Sequence, residues 1–377
     1  MACSAVNEMD KSVASKGKGR VAVAMSGGVD SSTAAAILKN EGYDVIGLTM
    51  HLWEAKSDEG EEIGRCCSPE DIRDARRVAD QIGIPHYVIN LRQAFEEEVV
   101  HYFIEEYLRG RTPNPCLRCN DRIKFHLLLR KAEELGAFAL ATGHYARIEP
   151  SPEPNKFLLR RGHDRHKDQS YFLFTMTQDQ MARVLFPLGE KSKAEVRQQA
   201  SNLGLRVAQK KESQEICFIP HDNYRRFMEE RTGKETFRPG EIVNRQGKVL
   251  GFHRGLPSYT IGQRRGLGIA ASHPHYVLAL KPEKNQVVAG SKEELMAHGL
   301  VAGGLNWISF PKLNGKMEAC VQIRYRHPGV LAVVSPGDEG KVIVDLKIPQ
   351  KAVTPGQAAV FYQGDEVLGG GWIERAF

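Results

Sequence analysis

The stretch VAVAMSGGVDSSTAAAILKNEG, residues 21–42, decides the fold class. Its first five residues are an unbroken short apolar run, the pattern of a strand covered on both faces. The run stops at SGGVDSS (26–32), and STAAAILKNEG (32–42) then places its apolar residues at helical spacing and ends on Gly42. The reading is strand, glycine loop, helix. Working outward, DVIGLTMHLW (44–53) reads as a second strand. SPEDIRDARRVADQIG (68–83) reads as a helix opened by Ser68 and Pro69 and closed by Gly83, and HYVIN (86–90) as a third strand. Alternating strands and helices of this kind predict an α/β doubly wound parallel sheet. A helix from about Leu91 to Leu108, another from about Asp121 to Leu135 and a strand FALATG ending at Gly143 continue the pattern.

The 377 residues exceed one ordinary core. From about Phe237, short β-rich runs separated by Gly, Pro and Asn replace the long helices. Beyond about Leu300, CVQIRYR, VLAVVS, GKVIVDL and GQAAVFY recur at the spacing of a small β-barrel. The expected division is a disordered lead-in (1–19), a catalytic domain (20–236), a small central β domain (237–299) and a C-terminal β-barrel (300–377). No apolar run is long enough for a membrane span, and the lead-in lacks the apolar core of a secretory signal, so a cytoplasmic location is expected. The 52 basic and 46 acidic residues leave +6, an excess that permits a nucleic-acid partner without requiring one. Seven cysteines form no regular framework, so reactive or buried thiols are expected rather than disulfide staples.

SGGVDSS has the chemistry of a phosphate cradle. Glycines let backbone N–H groups approach phosphate oxygens, the hydroxyls of Ser26, Ser31 and Ser32 add donors, and a helix N-terminus favours an anion. The loop lacks the lysine of G-x-x-x-x-G-K-[ST] and is not G-x-G-x-x-G. Its S-G-G-x-D-S pattern resembles the pyrophosphatase loop of enzymes that split ATP into AMP and pyrophosphate. That resemblance implies contacts from Ala24, Met25, Ser26, Gly27, Gly28, Val29, Asp30 and Ser31, with Mg²⁺ neutralising the departing pyrophosphate. Met50 and Gly143 end strands where an open sheet places its ligands; Met50 is equally readable as core.

RTPNPCLRCNDRIKF (111–125) sets Cys116 and Cys119 among basic residues. Cys119, placed just before the helix and near Arg118, Arg122 and Lys124, is in a setting that lowers a thiol pKa. Cys217 follows a turn carrying Lys210 and Lys211, and is equally readable as a small buried hydrophobe. Cys66 and Cys67 have no evident partner, and Cys3 and Cys320 read as incidental. Zinc would require a second pair of ligands that the spacing does not supply. A thioredoxin-like dithiol would not need the ATP loop.

AMSGGVDSS, TPNPCLRCNDRIKF, ATGHYARI, KDQSYFLF, ESQEICFIP, YTIGQRRGLGI and IRYR occur in the order found in tRNA-specific 2-thiouridylases, which the chain resembles over nearly its whole length after residue 20. The resemblance implies that ATP adenylates the C2 oxygen of the wobble uridine in tRNA and that sulfur displaces AMP. It implies Cys119 as the thiol acting at the base, Cys217 as the persulfide carrier, and an alternate disulfide between them. Asn114, Pro115 and Cys116 match the segment that meets the target base. Lys167, Asp168, Gln169, Arg324 and Tyr325 match tRNA contacts, with His144 and Gln357 weaker matches. A cysteine desulfurase or sulfur-relay protein is the implied sulfur donor. The chain departs from the resemblance at Cys116, where many such proteins carry Asp in an acid/base role. Cys116, Cys119 and Cys217 therefore leave two routes open, a bare persulfide or a [4Fe–4S] cluster with one open iron. Arg109, Arg111, Arg118, Arg122, Lys124, Arg264, Arg265, Arg324 and Arg326 are expected on the RNA side, and an alternating RYR strand would put both its arginines on one face. A ligase acting on a small molecule, or an RNA-binding or redox-sensing protein with an idle ATP loop, are the competing readings.

Overall fold

A computed structural model describes residues 18–53, 68–210, 216–219 and 223–377. Cys3, Cys66, Cys67, Lys211 and nearly all of the lead-in lie outside the described residues.

The opening stretch forms β1 (Arg20–Ala24) and α1 (Val29–Asn40), then β2 (Asp44–His51), α2 (Pro69–Ile82) and β3 (His86–Asn90). Ser68 and Asp71 form a reciprocal capping box under Pro69, and Gly83 closes α2 in the left-handed region, as the sequence predicts. A continuous helix follows: α3 (Arg92–Phe95), a π-helical run Glu96–His101, and α4 (Tyr102–Leu108). A second helix is built the same way, from α5 (Pro115–Arg118) through a π-helical run Cys119–Leu128 to α6 (Leu129–Glu134). It starts earlier than the expected Asp121, because the Asn114 side chain accepts from Leu117 N (3.2 Å) and Pro115 occupies the first helical position.

β4 (Ala139–Ala141), a hairpin of β5 (Ala146–Pro150) and β6 (Phe157–Arg161), α7 (Gln178–Met181), β7 (Val184–Leu185), α8 (Lys193–Asn202) and α9 (Tyr224–Thr232) follow. The sheet is parallel throughout, in the order β3-β2-β1-β4-β7. The chain builds outward from β1 to β3, then returns to β4 on the other side of β1. That reversal makes the carboxyl ends of β1 and β4 the crevice where such sheets bind ligands.

A four-stranded sheet follows: β8 (Gly240–Val243), β9 (Val249–His253), β10 (Tyr276–Lys281) and β11 (Gln286–Gly290). The last unit comprises β12 (Met296–Trp307), β13 (Met317–Gln322), β14 (Val330–Pro336), β15 (Val342–Lys351), β16 (Ala358–Gln363) and β17 (Glu366–Ala376). Since β12 pairs with both β15 and β17, this sheet closes into a barrel with its own apolar core. The sequence reading missed the β5–β6 hairpin, which adds to β17 through Glu366 and Arg160 and so lies against the barrel. Alternation of Arg324, Tyr325 and Arg326 along a strand is not what forms. β13 ends at Gln322, whose side-chain amide donates to the carbonyls of Arg324 and Tyr325 (3.3 and 2.5 Å) and bends the segment into a turn.

Candidate functional site

The loop between β1 and α1 sits at the crevice just described. Gly27 has φ +71, and a Cβ there would lie 2.3 Å from the Asp71 carbonyl oxygen, so only glycine lets the loop pass under α2. Gly28 is different: the nearest atom to its would-be Cβ is Ser26 Oγ at 3.5 Å. Ser31 Oγ ties the loop together by accepting from Ser26 N (3.1 Å) and donating to Gly28 O (3.3 Å). α1 has no side-chain cap at Gly28, which leaves its first-turn N–H groups available to an anion. Gly143, just beyond β4, approaches from the opposite side; a Cβ there would meet Ser31 N at 2.8 Å. Ser26 is exposed and Gly28 half-buried, while Met25 and Val29 are buried, as is Met50 at the end of β2, and Ala24 is half-buried. The backbone N–H groups and hydroxyls of this loop are the donors a polyphosphate needs.

Two lysines that join separate segments hold this loop. Lys193 is only 9% exposed and places its Nζ 2.7 and 2.8 Å from the two Asp30 oxygens, with the Tyr145 hydroxyl donating to Oδ1 at 2.7 Å. Lys210 donates to Gly27 O (3.2 Å), Asp71 (2.8 Å) and Asp74 (2.6 Å). Burial works to lower the Lys210 pKa, but the bonds to Asp71 and Asp74 outweigh it and the value is raised. Lys210 therefore spends its charge on the phosphate loop and α2 and not, as its position before Cys217 suggested, on that thiol.

Cys116 is in the first turn of the Pro115 helix and is exposed, whereas Cys119 lies one turn deeper, half-buried, where the helix widens to π spacing. The expected placement of Cys119 at the helix start thus belongs to Cys116. The nearby basic residues are mostly engaged. Arg118 pairs with Glu98 (2.7 Å), Arg122 with Asp121 (3.1 Å), Arg109 with Glu105 (3.0 Å) and Arg111 with the buried Glu106 (2.7 Å). Burial raises the Asp121 pKa against the pull of Arg122 and Arg118. Cys217 is half-buried beside Phe218, whose ring packs on Phe95 and Phe103 of the Arg92–Leu108 helix (5.6 and 5.3 Å). That helix also receives Arg118 at the Glu98 carbonyl (3.0 Å), so both half-buried cysteines are anchored to one element. Both pack against the core cluster that contains Met50. Among the described residues, no group of three His, Cys, Asp or Glu side chains is arranged to hold a metal ion. Cys116, Cys119 and Cys217 are not gathered into such a group.

The segment 168–174 joins these parts. Asp168 is buried with both oxygens engaged, accepting from Gly162 N (3.0 Å), Ser170 N (3.1 Å), Ser170 Oγ (3.0 Å) and Arg161 (2.9 Å). Gln169 forms a two-bond clip with Tyr145: its Oε1 accepts from Tyr145 N (3.0 Å) and its N donates to Tyr145 O (2.9 Å). Asn120, adjacent to Cys119, donates to Phe172 O (3.1 Å), and Phe172 packs on Tyr325 at 4.4 Å. The barrel also grips the cysteine segment directly. Gln357 Nε2 donates to the carbonyls of Thr112 (3.0 Å) and Pro113 (3.2 Å), and Thr112 N donates to Pro355 O (2.9 Å). His144 is buried between Phe125 and Phe186 and bonded through Nδ1 to Thr142 (2.6 Å). Burial, reinforced by Lys124, keeps its pKa well below the ordinary value, so the ring is neutral.

Family models match in three consecutive blocks: a tRNA methyl transferase HUP domain over residues 19–221, a tRNA methyl transferase PRC-barrel domain over 225–291, and an aminomethyltransferase beta-barrel domain over 297–373. The tRNA-specific 2-thiouridylase MnmA of Geobacter metallireducens is 56% identical over 96% of this chain and 98% of its own. That of Heliobacterium modesticaldum is 54% identical over 95% of this chain and 93% of its own. The chain belongs to the tRNA-specific 2-thiouridylase family. A third relative with that name, from Carboxydothermus hydrogenoformans, is 52% identical over 95% of this chain and 98% of its own.

For a thiouridylase, the placement sorts the expected residues. Lys167 and Gln169 are half-buried in the loop before the 168–174 segment's helical turn, and Arg324 is exposed in the barrel turn with Tyr325 half-buried behind it. Arg264, Arg265 and Arg326 are exposed, as an RNA face requires, while His144, Asp168 and Gln357 use side-chain atoms in internal bonds. The sequence reading missed Tyr145 and Lys193. Tyr145 stood inside the quoted ATGHYARI without a role of its own, and Lys193 carried no local signal; only the fold brings both to Asp30.

Proposed function

We propose that the protein is an ATP-dependent tRNA uridine 2-thiolase that uses its own cysteines to deliver sulfur to the wobble position. The observation that carries this reading is the 168–174 segment, which touches the phosphate loop through Tyr145, the Cys119 helix through Asn120 and the barrel turn through Tyr325. The loop from Ser26 to Ser31 holds the ATP phosphates, with Gly143 and Met50 bounding the nucleotide and a divalent cation balancing the pyrophosphate charge. The uracil C2 oxygen attacks the α-phosphate, forming a C2–O–AMP ester and releasing pyrophosphate. A persulfide on Cys217 attacks C2, and the C2–O bond breaks to release AMP. The Cys119 thiolate then attacks the inner sulfur on Cys217, forming a Cys119–Cys217 disulfide and leaving the outer sulfur as the thiocarbonyl. An external dithiol reduces that disulfide, and a cysteine desulfurase or sulfur-relay protein reloads Cys217.

Asn114, Pro115 and Cys116 border the target base, Gln169 reads it with an amide that can donate and accept, and Lys167, Arg324 and Tyr325 contact tRNA. His144 and Gln357 shape this surface from behind, and Asp168 fixes the loop. Residues 20–236 carry the chemistry, 237–299 form the central unit and 300–377 the tRNA-binding barrel. A cytoplasmic site of action fits a tRNA substrate, and among the described residues no helix is long and apolar enough to cross a membrane.

The test is incubation with tRNA, Mg²⁺·ATP and a persulfide donor, followed by nucleoside mass analysis. 2-Thiouridine formed together with AMP supports the reading; tRNA-independent AMP release with no thiolated base would favour a small-molecule ligase instead. Cys116→Asp keeps activity on the persulfide route. Iron and acid-labile sulfide in anaerobically prepared protein, lost together with activity in that variant, would assign the cluster route.

A further inference from the structure

Two residues hold Asp30 with their side chains and the tRNA-side loop with their backbones. Tyr145 donates its hydroxyl to Asp30 at 2.7 Å, while its N–H and C=O clip Gln169 at 3.0 and 2.9 Å. Lys193 places its ammonium on both Asp30 oxygens, while its backbone N–H donates to Asp164 Oδ2 at 3.0 Å. That N–H belongs to the first turn of α8, where backbone donors have no partner within the helix. Asp164 in turn accepts from His166 N (3.0 Å) through Oδ1 and from Lys167 N (3.0 Å) through its carbonyl. With Asp168 anchored by Gly162, Ser170 and Arg161, and Arg165 paired with Asp365, residues 164–169 form one braced unit.

Tyr145 is 2% exposed and Lys193 9%, so neither side chain can move without disturbing its surroundings. A polyphosphate held at Gly27 and Gly28 would bring negative charge beside Asp30, and a divalent cation bound with it would compete for the carboxylate oxygens. Either would weaken the hold of Asp30 on the Lys193 ammonium or the Tyr145 hydroxyl, and the 164–169 loop is fastened to the backbones of those same residues.

We propose that Tyr145 and Lys193 are positioning residues that couple occupancy of the nucleotide site to the placement of Gln169 and Lys167, so that ATP and tRNA each change the other's affinity. The proposal rests on the functional reading above for the identity of the two ligands. By linkage the effect is reciprocal and equals one coupling factor, the ratio of tRNA dissociation constants without and with a non-hydrolysable ATP analogue and Mg²⁺.

The experiment measures that ratio for the full chain. The wild-type protein is expected to show a factor of about fivefold or more, the lower range of measured couplings. Tyr145→Phe keeps the buried ring but loses the bond to Asp30. Its coupling factor is expected to fall to within about twofold of unity while the melting temperature stays close to wild type, a change that a purely structural role would not produce. Lys193→Arg, which keeps the charge and alters its reach, carries the same test if Tyr145→Phe does not fold. A wild-type factor of one, or an unchanged factor in the folded variants, overturns the coupling and leaves thiolation standing. Coupled binding of ATP and tRNA without any 2-thiouridine overturns the thiolase reading and leaves the coupling standing. A chain that binds neither ligand overturns both.

Discussion

The phosphate loop and the cysteine segments are built on opposite plans. The loop between β1 and α1 is local: Ser26, Gly27, Gly28 and Ser31 bond one another, and the sheet that aims them is contiguous parallel pairing of β1 with β2 and β4. The cysteine region is assembled from distant parts. Its helix is capped by Asn114 and held from outside by Gln357 and Pro355 of the barrel, and its Cys217 segment is fixed by the aromatic contacts of Phe218. A site whose atoms are neighbours in sequence is stable by itself, whereas one that depends on long-range contacts responds to whatever binds the units that hold it.

The sharpest way to break this contrast is at the thiols. Cys119→Ser and Cys217→Ser are each expected to reduce 2-thiouridine formation on the order of a thousandfold, with ATP affinity kept, because a hydroxyl carries no persulfide. Thiolation near the wild-type rate in either single variant ends the assignment. At the loop, Gly27→Ala forces a left-handed alanine into the Asp71 carbonyl and is expected to cost about 2–4 kcal/mol of stability. Gly28→Val meets no such obstacle and is expected to fold normally while losing ATP binding by about tenfold or more. Equal melting temperatures for the two variants would refute the distinction between structural and nucleotide-facing glycines.

Gln357→Ala probes the long-range tether. Loss of its bonds to Thr112 and Pro113 is expected to cost about 1–3 kcal/mol and to lower kcat about tenfold with little change in KM for ATP. A rise in KM for ATP with kcat intact would instead place Gln357 in the nucleotide half. The smallest effect is electrostatic. Since burial holds the folded pKa of His144 below its ordinary 6.5, the unfolded chain binds the proton first. The stability of the neutral ring is fully present above pH 6.5 and declines below it, with a slope of up to about 1.4 kcal/mol per pH unit. His144→Asn should flatten the decline of chemical-denaturation stability between about pH 6.5 and 5, and an unaltered slope would locate it in other groups.

Where sequence reading succeeded, the signal was short-range. Ser68, Pro69 and Gly83 set both ends of α2, and the run from Val21 to Asn40 contains its strand, loop and helix in consecutive residues. Where it failed, either a distant group decided, as when Lys193 and Tyr145 meet at Asp30, or a side-chain bond to nearby backbone redirected the chain. The helix expected from about Asp121 starts at Pro115 because Asn114 caps it, and the RYR strand was broken by the Gln322 side chain.

By itself, the sequence determined the parallel sheet and the position of the glycine loop between its first strand and helix, and it marked the thiols proposed to carry sulfur, since periodicity, capping and glycine conformation act over a few residues. Only the tertiary structure decided which charges remain to act at the site. Lys210 is spent on Asp71 and Asp74, Arg118 on Glu98, and Lys193 and Tyr145 meet at Asp30. The reason is physical: Coulomb and hydrogen-bond energies depend on distances in space, and a linear order of residues does not contain them.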